Sequence, residues 1–415
     1  RSSSPVSQQS LPTLAVLPFA DLSENGSQNY FGAGVAEDIM TELSRFRTLI
    51  VIARDSSFLH GTAPRDLSSL AGRMGVEFVV RGSIRWAKDR MRISVQLIEA
   101  DDTRCIWAES YNRNTHDIFD VLDEVAKAVA FKVVGQIEET GRQQALRKRP
   151  ESLAVYEQLL IANWYLREAG KDDISKAREM FRRAIDLEPT NARAHAELAF
   201  SYLTEFWSDW TPSPKAAATK ALELAKEATA LDDLDSRAHL YLATALFYAT
   251  SNFDAASREF DRAIKLNPND YDVFCLLSWL LALTGEVEKC IACAEQAIRL
   301  SPLTTEDCRV AQSCAAYCAQ RYDDALTALQ SIPEPSNEVN AFLAMCYAQL
   351  GHTAKAESAM RTFLTVTSRK RVDQPHHYRD GWRGYWAVRY PFKHQKDLEH
   401  MLEGLSKAGM PMVSR

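Results

Sequence analysis

Three stretches of the 415-residue chain repeat one sparse pattern. Ala177-x3-Phe181-x2-Ala184-x4-Pro189 recurs as Ala256-x3-Phe260-x2-Ala263-x4-Pro268, and again as Cys290-x3-Ala294-x2-Ala297-x4-Pro302. The last two copies are offset by 34 residues, from position 263 to 297. A degenerate copy lies between the first two at Ala221, Ala225 and Ala228. It has Asp233 at the proline position, and an insertion, 207–214, precedes it. Further copies fall at Ala325 and Leu329, and at Ala356 and Met360, where Gly351 marks the turn between helices; about six copies result. Steps of four and three place these residues on one face of a helix. The small residue lets two helices approach closely, and the large apolar residue fills the space against the next pair. Proline ends the second helix, because it lacks a donor and clashes with the preceding turn. One such hairpin cannot bury its apolar face alone, so the copies must stack.

A period of this length with this grammar resembles the tetratricopeptide repeat family. The resemblance predicts an all-α superhelix over 150–367, with a protein or peptide bound in its groove. The first helix of each hairpin lines that groove in the family, so Asn163, Tyr202, Tyr241 and Asn340 are the candidate partner-binding residues. Trp207 and Trp210, in the insertion, are read as packing first and ligand contact second.

Ahead of the repeats the period changes. Residues 1–12 are Ser- and Gln-rich without periodicity and read as a disordered linker. Leu14 to Leu17, stopped by Pro18, reads as a buried strand, and 49–53 as a second. Val35, Ile39, Met40, Leu43 and Phe46 have amphipathic helical spacing. A helix opens at Asp66 and is ended by Gly75. Strands over 76–87 and 91–99 are joined by Lys88-Asp89-Arg90, and 105–111 is a third. In the second of these, Met91, Ile93, Val95 and Leu97 form the covered face. A long helix is expected from His116 to about Arg149, ended by Pro150. The fold class expected is therefore an α/β N-terminal domain with a mixed sheet, 13–149, followed by the repeat superhelix.

Several separated blocks carry a second resemblance. Leu14-Ala15-Val16-Leu17-Pro18-Phe19 is followed by Tyr30-Phe31-Gly32-x-Gly34-x3-Asp38-Ile39, then by Leu43-Ser44-Arg45-Phe46. Later come Val51 to Phe58, Gly75 to Ser83, Val95 to Ile98, and Ile106-Trp107-Ala108-Glu109-Ser110-Tyr111. These blocks resemble the TolB amino-terminal-like domain. In bacteria that domain, with tetratricopeptide repeats behind it, commonly lies C-terminal to a class III adenylate/guanylate cyclase domain. It also follows winged-helix DNA-binding domains and some TIR domains. The end of the chain, from Pro391-Phe392 to Ala408-Gly409, resembles the closing segment of the cyclase-linked group. The resemblance implies a regulatory, non-catalytic piece of a bacterial signalling protein. The chain opens without Met, and we expect it to be part of something longer. The alternatives are the effector or oligomerisation half of a winged-helix regulator or TIR-domain protein, or a stand-alone scaffold.

Composition narrows the chemistry. A formal charge of -6 argues against wrapping on nucleic acid, which needs clustered excess cations. The longest apolar run, from Phe274 to Leu283, is far short of the roughly 20 residues a membrane span needs. Residues 1–9 lack the apolar core of a signal peptide. Eight cysteines, seven of them in the helical half, read as reduced thiols of a cytoplasmic protein.

No constellation points to catalysis or to a cofactor. Gly32-x-Gly34 lacks the third glycine and the Lys-Ser/Thr of a phosphate loop, and reads as a structural turn. Cys290-x2-Cys293 has redox or zinc spacing, yet Cys290 fills the small-residue slot of its repeat; no metal site is expected. His376-His377 has no further ligand at helical spacing. The basic run over 142–149 complements a helix C-terminus.

Residues 378–392 interleave Trp382, Tyr385, Trp386, Tyr390 and Phe392 with Arg379, Arg383 and Arg389. They read first as a C-terminal aromatic cap, 368–415, over the last hairpin. As the second reading, Trp382 and Trp386 touch a partner or a second copy of the chain. Stacking on nucleic-acid bases is the third and weakest reading.

Overall fold

The computed structural model describes residues 11–22, 29–58, 66–87, 90–114, 117–134, 153–168, 170–208, 211, 213–370 and 381–412. Residues 1–10 of the expected linker, the basic run 142–149, the part of the expected long helix beyond Val134, Trp210, His376-His377 and Arg379 lie outside them. The chain divides into two compact units.

In the first unit, β1 (Thr13–Val16), β2 (Ala20–Asp21), β3 (Ile50–Val51), β4 (Phe78–Ala87), β5 (Arg90–Glu99) and β6 (Arg104–Asn114) form one mixed sheet. The strand order is β3-β1-β4-β5-β6, with β2 also paired to β4. β1 runs parallel to β3 and β4, while β4, β5 and β6 form an antiparallel meander. Ala87 pairs with Arg90, so the hairpin link is two residues and Arg90 belongs to β5 rather than to the turn. The alternation in β5 holds, and Met91, Ile93, Val95 and Leu97 are all buried. Ile98, on the opposite face of β5, is buried as well, paired with buried Val79 of β4; the β5–β6 ladder shifts register between Leu97 and Ile98.

Helices cover the sheet: α1 (Asn29–Ser44), α2 (Arg54–Phe58), α3 (Leu67–Met74) and α4 (Ile118–Val134). Asp66 caps α3 by accepting from the Ser69 N–H at 2.9 Å, and Gly75 closes it in the left-handed conformation. The main core joins Val35, Ile39 and Leu43 of α1 with Val121, Val125 and Val129 of α4, over Leu14, Val16, Val80 and Leu97 of the sheet. A smaller cluster on α3 holds Ala15, Leu17, Leu70 and Met74.

Gly32 and Gly34 sit inside α1, not in a turn. A Cβ on Gly32 would stand 2.0 Å from the Phe19 carbonyl oxygen, and one on Gly34 would stand 2.4 Å from Leu160. The pair serves close approach, not phosphate binding.

The first unit runs on through Trp164, most of the way along α5 (Leu153–Glu168). Tyr156 and Leu160 complete the core around Phe31 and Phe119. It also takes in residues 266–270 and 300–303. Asn269 Nδ2 donates to the carbonyls of Ser44 and Phe46 at 2.9 and 3.2 Å, and the Ala53 N–H donates to the Leu300 carbonyl at 2.6 Å.

The second unit is all-α. After α6 (Lys171–Leu187), hairpins follow as α7 (Ala192–Trp207) with α8 (Pro214–Leu231), α9 (Ser236–Thr250) with α10 (Phe253–Leu266), and α11 (Tyr271–Thr284) with α12 (Val287–Leu300). Next come α13 (Glu306–Cys318) with α14 (Tyr322–Gln330) and α15 (Asn337–Gln349) with α16 (Thr353–Lys370). Two more helices, α17 (Gly381–Arg389) and α18 (Gln395–Lys407), end the chain.

The repeat positions do what their spacing implies. Ala177, Phe181, Ala184, Ala256, Phe260, Ala263, Cys290, Ala294 and Ala297 are at most 1% exposed. Removing such apolar area from water, summed over the hairpins, drives the stacking. Four of the turns between paired helices bend through a left-handed residue: Gly285 and Gly351, but Ser251 and Gln320 in the sister copies. The first helices α7, α9, α11, α13 and α15 pack side by side as one layer.

Candidate partner-binding surface

The layer of first helices is where the family resemblance puts a ligand. Aromatic side chains are concentrated on it. In α7, the Arg178 guanidinium from α6 lies 3.8 Å from the centre of the Tyr202 ring. It donates to the Ser201 hydroxyl and carbonyl at 3.1 and 2.9 Å, and to Glu205 at 2.7 Å. Tyr202 is half-buried, and its hydroxyl accepts from Arg182.

Between α7 and α9, Glu197 is 2% exposed and is paired with Arg237 at 3.1 Å. Tyr241 is buried, with its ring stacked on Phe200 at 4.8 Å and its hydroxyl 3.5 Å from Glu197. His195 and His239 occupy matching places in Arg-Ala-His triplets. Each sets Nε2 at 3.0 Å from a backbone carbonyl, of Pro189 and Asp233 respectively, and Nδ1 toward a carboxylate, Glu227 or Glu259. These rings tie the turn before each first helix to the helix that follows it in the stack.

Of the residues singled out from sequence, Tyr202 and Tyr241 lie in this layer, in α7 and α9. Asn340 is half-buried in α15. Asn163 is buried in α5, in the first unit. Trp382 is half-buried against Phe363 at 5.6 Å. Trp386 has no exposed area, and its Nε1 donates to Met410 Sδ at 3.1 Å. A fully buried ring presents nothing to a partner in this conformation.

The C-terminal helices do more than cover the last hairpin. α18 packs on α13 and α15, with His400 stacked on Tyr317 at 4.8 Å. Tyr390 sits between Trp279 of α11 and Phe342 of α15, at 5.5 and 5.6 Å. The Lys393 N–H donates to the Leu283 carbonyl at 2.9 Å. Arg389 forks onto Glu338 of α15 through two bonds of 3.1 Å and also donates to the Trp207 carbonyl of α7. Residues 386–393 thus lie across first helices of three hairpins. Local pattern could not show this, since Arg389 and Trp207 are 182 positions apart. The legible signal was the density of Arg and aromatic side chains over 378–392.

Electrostatics in this region favour neutral phenols and thiols. Burial pushes Tyr390 well above the usual range, reinforced by the Glu338 charge. Burial likewise pushes Tyr248, which lies against Phe206 and Phe247, up to about 12. Cys290 is buried and its thiol is held high by burial; its Sγ lies 3.6 Å from the Ala311 carbonyl. Cys293 is also raised by burial. Among the described residues, no group of three His, Cys, Asp or Glu side chains is placed to hold a metal ion. No described helix is long and apolar enough to cross a membrane.

Comparison with known proteins gives two family matches. Residues 8–128 match the HilA/YgeH-like transcriptional regulator, second domain, and residues 271–302 match the tetratricopeptide repeat. A curated protein of Rhizobium meliloti (strain 1021), named putative adenylate cyclase 3, is 35% identical over 238 residues. The match spans 57% of this chain and 40% of that relative. Among solved structures, Pseudomonas aeruginosa pilF is 17% identical, with a TM-score of 0.39, over 54% of this chain and 95% of its own. TolB from Acinetobacter baumannii is 20% identical, with a TM-score of 0.25, over 30% and 29%. The helical unit is thus a tetratricopeptide-repeat stack, in a chain similar over more than half its length to a protein named as a cyclase.

Proposed function

We propose that this chain is the non-catalytic, regulatory and protein-interaction half of a bacterial signalling protein, and that it controls a class III adenylate/guanylate cyclase domain. The observation that carries this reading is the 35% identity to the putative adenylate cyclase. The chain covers less than half of that relative, which leaves room there for a separate output domain. The hairpin stack supplies the binding role, because each first helix offers a few side chains at regular spacing. The α/β unit, read as TolB amino-terminal-like, relays or assembles. The ligand is a protein or peptide, the site of action is the cytoplasm, and the net charge of -6 disfavours nucleic acid as the ligand of this chain. A homodimer is part of the proposal, and sedimentation tests it.

A second reading has its own support. The match of residues 8–128 to the second domain of HilA/YgeH-like regulators fits the effector half of a transcriptional regulator.

One experiment separates the two. The gene is read on the 5′ side of the Arg1 codon, and its product is assayed for cyclic-nucleotide synthesis with and without residues 13–407. A cyclase domain there, with output changed by the deletion, is the expected result. A DNA-binding domain there moves the assignment to the second reading. A cyclase whose output ignores the deletion overturns the regulatory role.

A further inference from the structure

Arg389 and Tyr390 occupy a site made of unlike parts from three hairpins. Glu338, in the first turn of α15, meets the guanidinium with both oxygens: Nε donates to Oε1 and Nη2 to Oε2, each at 3.1 Å. This two-pronged fit suits the planar arginine fork and not a lysine. The third contact runs from Nη1 to the carbonyl of Trp207, the last residue of α7. A helix C-terminus leaves its carbonyls without partners and favours a cation.

The next residue is read as closely. The Tyr390 hydroxyl donates to the same Glu338, and its ring is enclosed by Trp279, Phe342 and Trp386. The backbone of the segment is held at a second helix end, where the Lys393 N–H meets the Leu283 carbonyl. Covering the hairpins requires only apolar area, and Trp386, Leu398 and Met401 supply it. The forked carboxylate and the helix-end carbonyl add selectivity that a plain cover does not need.

We propose that Glu338, the Trp207 carbonyl, Trp279 and Phe342 form a receptor for an arginine followed by an aromatic residue. Arg389-Tyr390 fills it in cis, and a partner protein presenting the same pair enters by displacing them. This rests on the reading of the first-helix layer as the binding face.

The test uses the full chain and a labelled synthetic peptide spanning 385–393 as probe. Arg389→Ala/Tyr390→Ala vacates the site, and that variant is expected to bind the peptide about tenfold or more tightly than the wild-type chain. Adding Glu338→Gln returns binding to the wild-type level, and a peptide with Glu in place of the arginine binds every form weakly. Equal affinity of the probe for the wild-type chain and the vacated variant overturns the proposal, as does binding indifferent to Glu338→Gln. Thermal melts run in parallel. Where the double variant does not melt cooperatively, Arg389→Gln replaces it with the same expected order of affinities. The readout contains no cyclic nucleotide, so the cyclase reading and the receptor can fail separately.

Discussion

The Tyr156 phenol donates to the Asp38 carboxylate across 2.6 Å, and both groups are buried in the first unit. A buried carboxylate that loses a donor keeps its desolvation penalty. Tyr156→Phe is therefore expected to destabilise the protein by about 1–3 kcal/mol. Asp38→Asn together with Tyr156→Phe should cost less than the two single changes added. Urea melts of the four proteins measure this, and strict additivity would show that the pair does not interact.

Glycines in two of the helices of the α/β unit, α1 and α3, should respond in opposite directions. Gly32→Ala drives a methyl to within 2.0 Å of the Phe19 carbonyl, which is backbone and cannot turn aside. Overpacking of this kind costs about 1–3 kcal/mol or more. Gly72 lies in α3 with nothing within 4 Å of a Cβ, so Gly72→Ala should stabilise by about 0.5–1 kcal/mol. Calorimetric melting points order the three proteins.

Glu197 is nearly inaccessible and is paired with Arg237 at 3.1 Å. Arg237→Ala takes away that partner of a buried charge and should cost about 3 kcal/mol or more. Arg237→Met with Glu197→Gln removes both charges and should recover much of the loss. Denaturant midpoints distinguish this from a surface pair, for which either change moves stability by about 1 kcal/mol or less.

Alkali should loosen the helical unit. The Cys346 thiol is raised by burial from 9.0 to about 12, and the Tyr248 phenol from 10.0 to about 12. In the unfolded chain these groups lose their protons first, so their contribution is complete below pH 9. It is lost as pH climbs through the folded values. Stability should fall steadily between pH 9 and 12, with Cys346→Ala and Tyr248→Phe each flattening the slope. At neutral pH the exposed Cys105 should react quickly with a thiol reagent, while buried Cys290, Cys308 and Cys346 wait for unfolding.

The hairpin turns offer a gain. Gln320 holds a φ of 61°, where the sister turns use Gly285 and Gly351. Gln320→Gly should raise stability by up to about 1 kcal/mol, because a side chain is disfavoured in that conformation. An unchanged melting temperature would mean that the side chain already compensates for its backbone.

Elements with a local signature were legible in the sequence. Asp66 and Gly75 bound α3, the alternation from Met91 to Leu97 sets the face of β5, and the Ala and Phe spacing lays out the hairpins. Each depends on neighbours within a turn or a pleat. Gly32 and Gly34 looked like a turn because sequence shows flexibility but not what lies opposite, here Phe19 and Leu160. The place of Arg389 was hidden for the same reason at longer range, since its partners Glu338 and Trp207 share no period with it. Asn163 and Trp386 were chosen by residue type, and burial is decided by what packs on them.

The first unit ends at Trp164 and resumes at residues 266–270 and 300–303. A ribosome delivers these pieces in order, so the carbonyls of Ser44 and Phe46 stay with water until Asn269 emerges, and the Ala53 N–H until Leu300 does. The amino-terminal unit therefore cannot finish folding ahead of the repeats, as separate domains commonly do during synthesis. Its last hydrogen bonds must wait until three of the hairpins, α7–α8, α9–α10 and α11–α12, have left the exit tunnel.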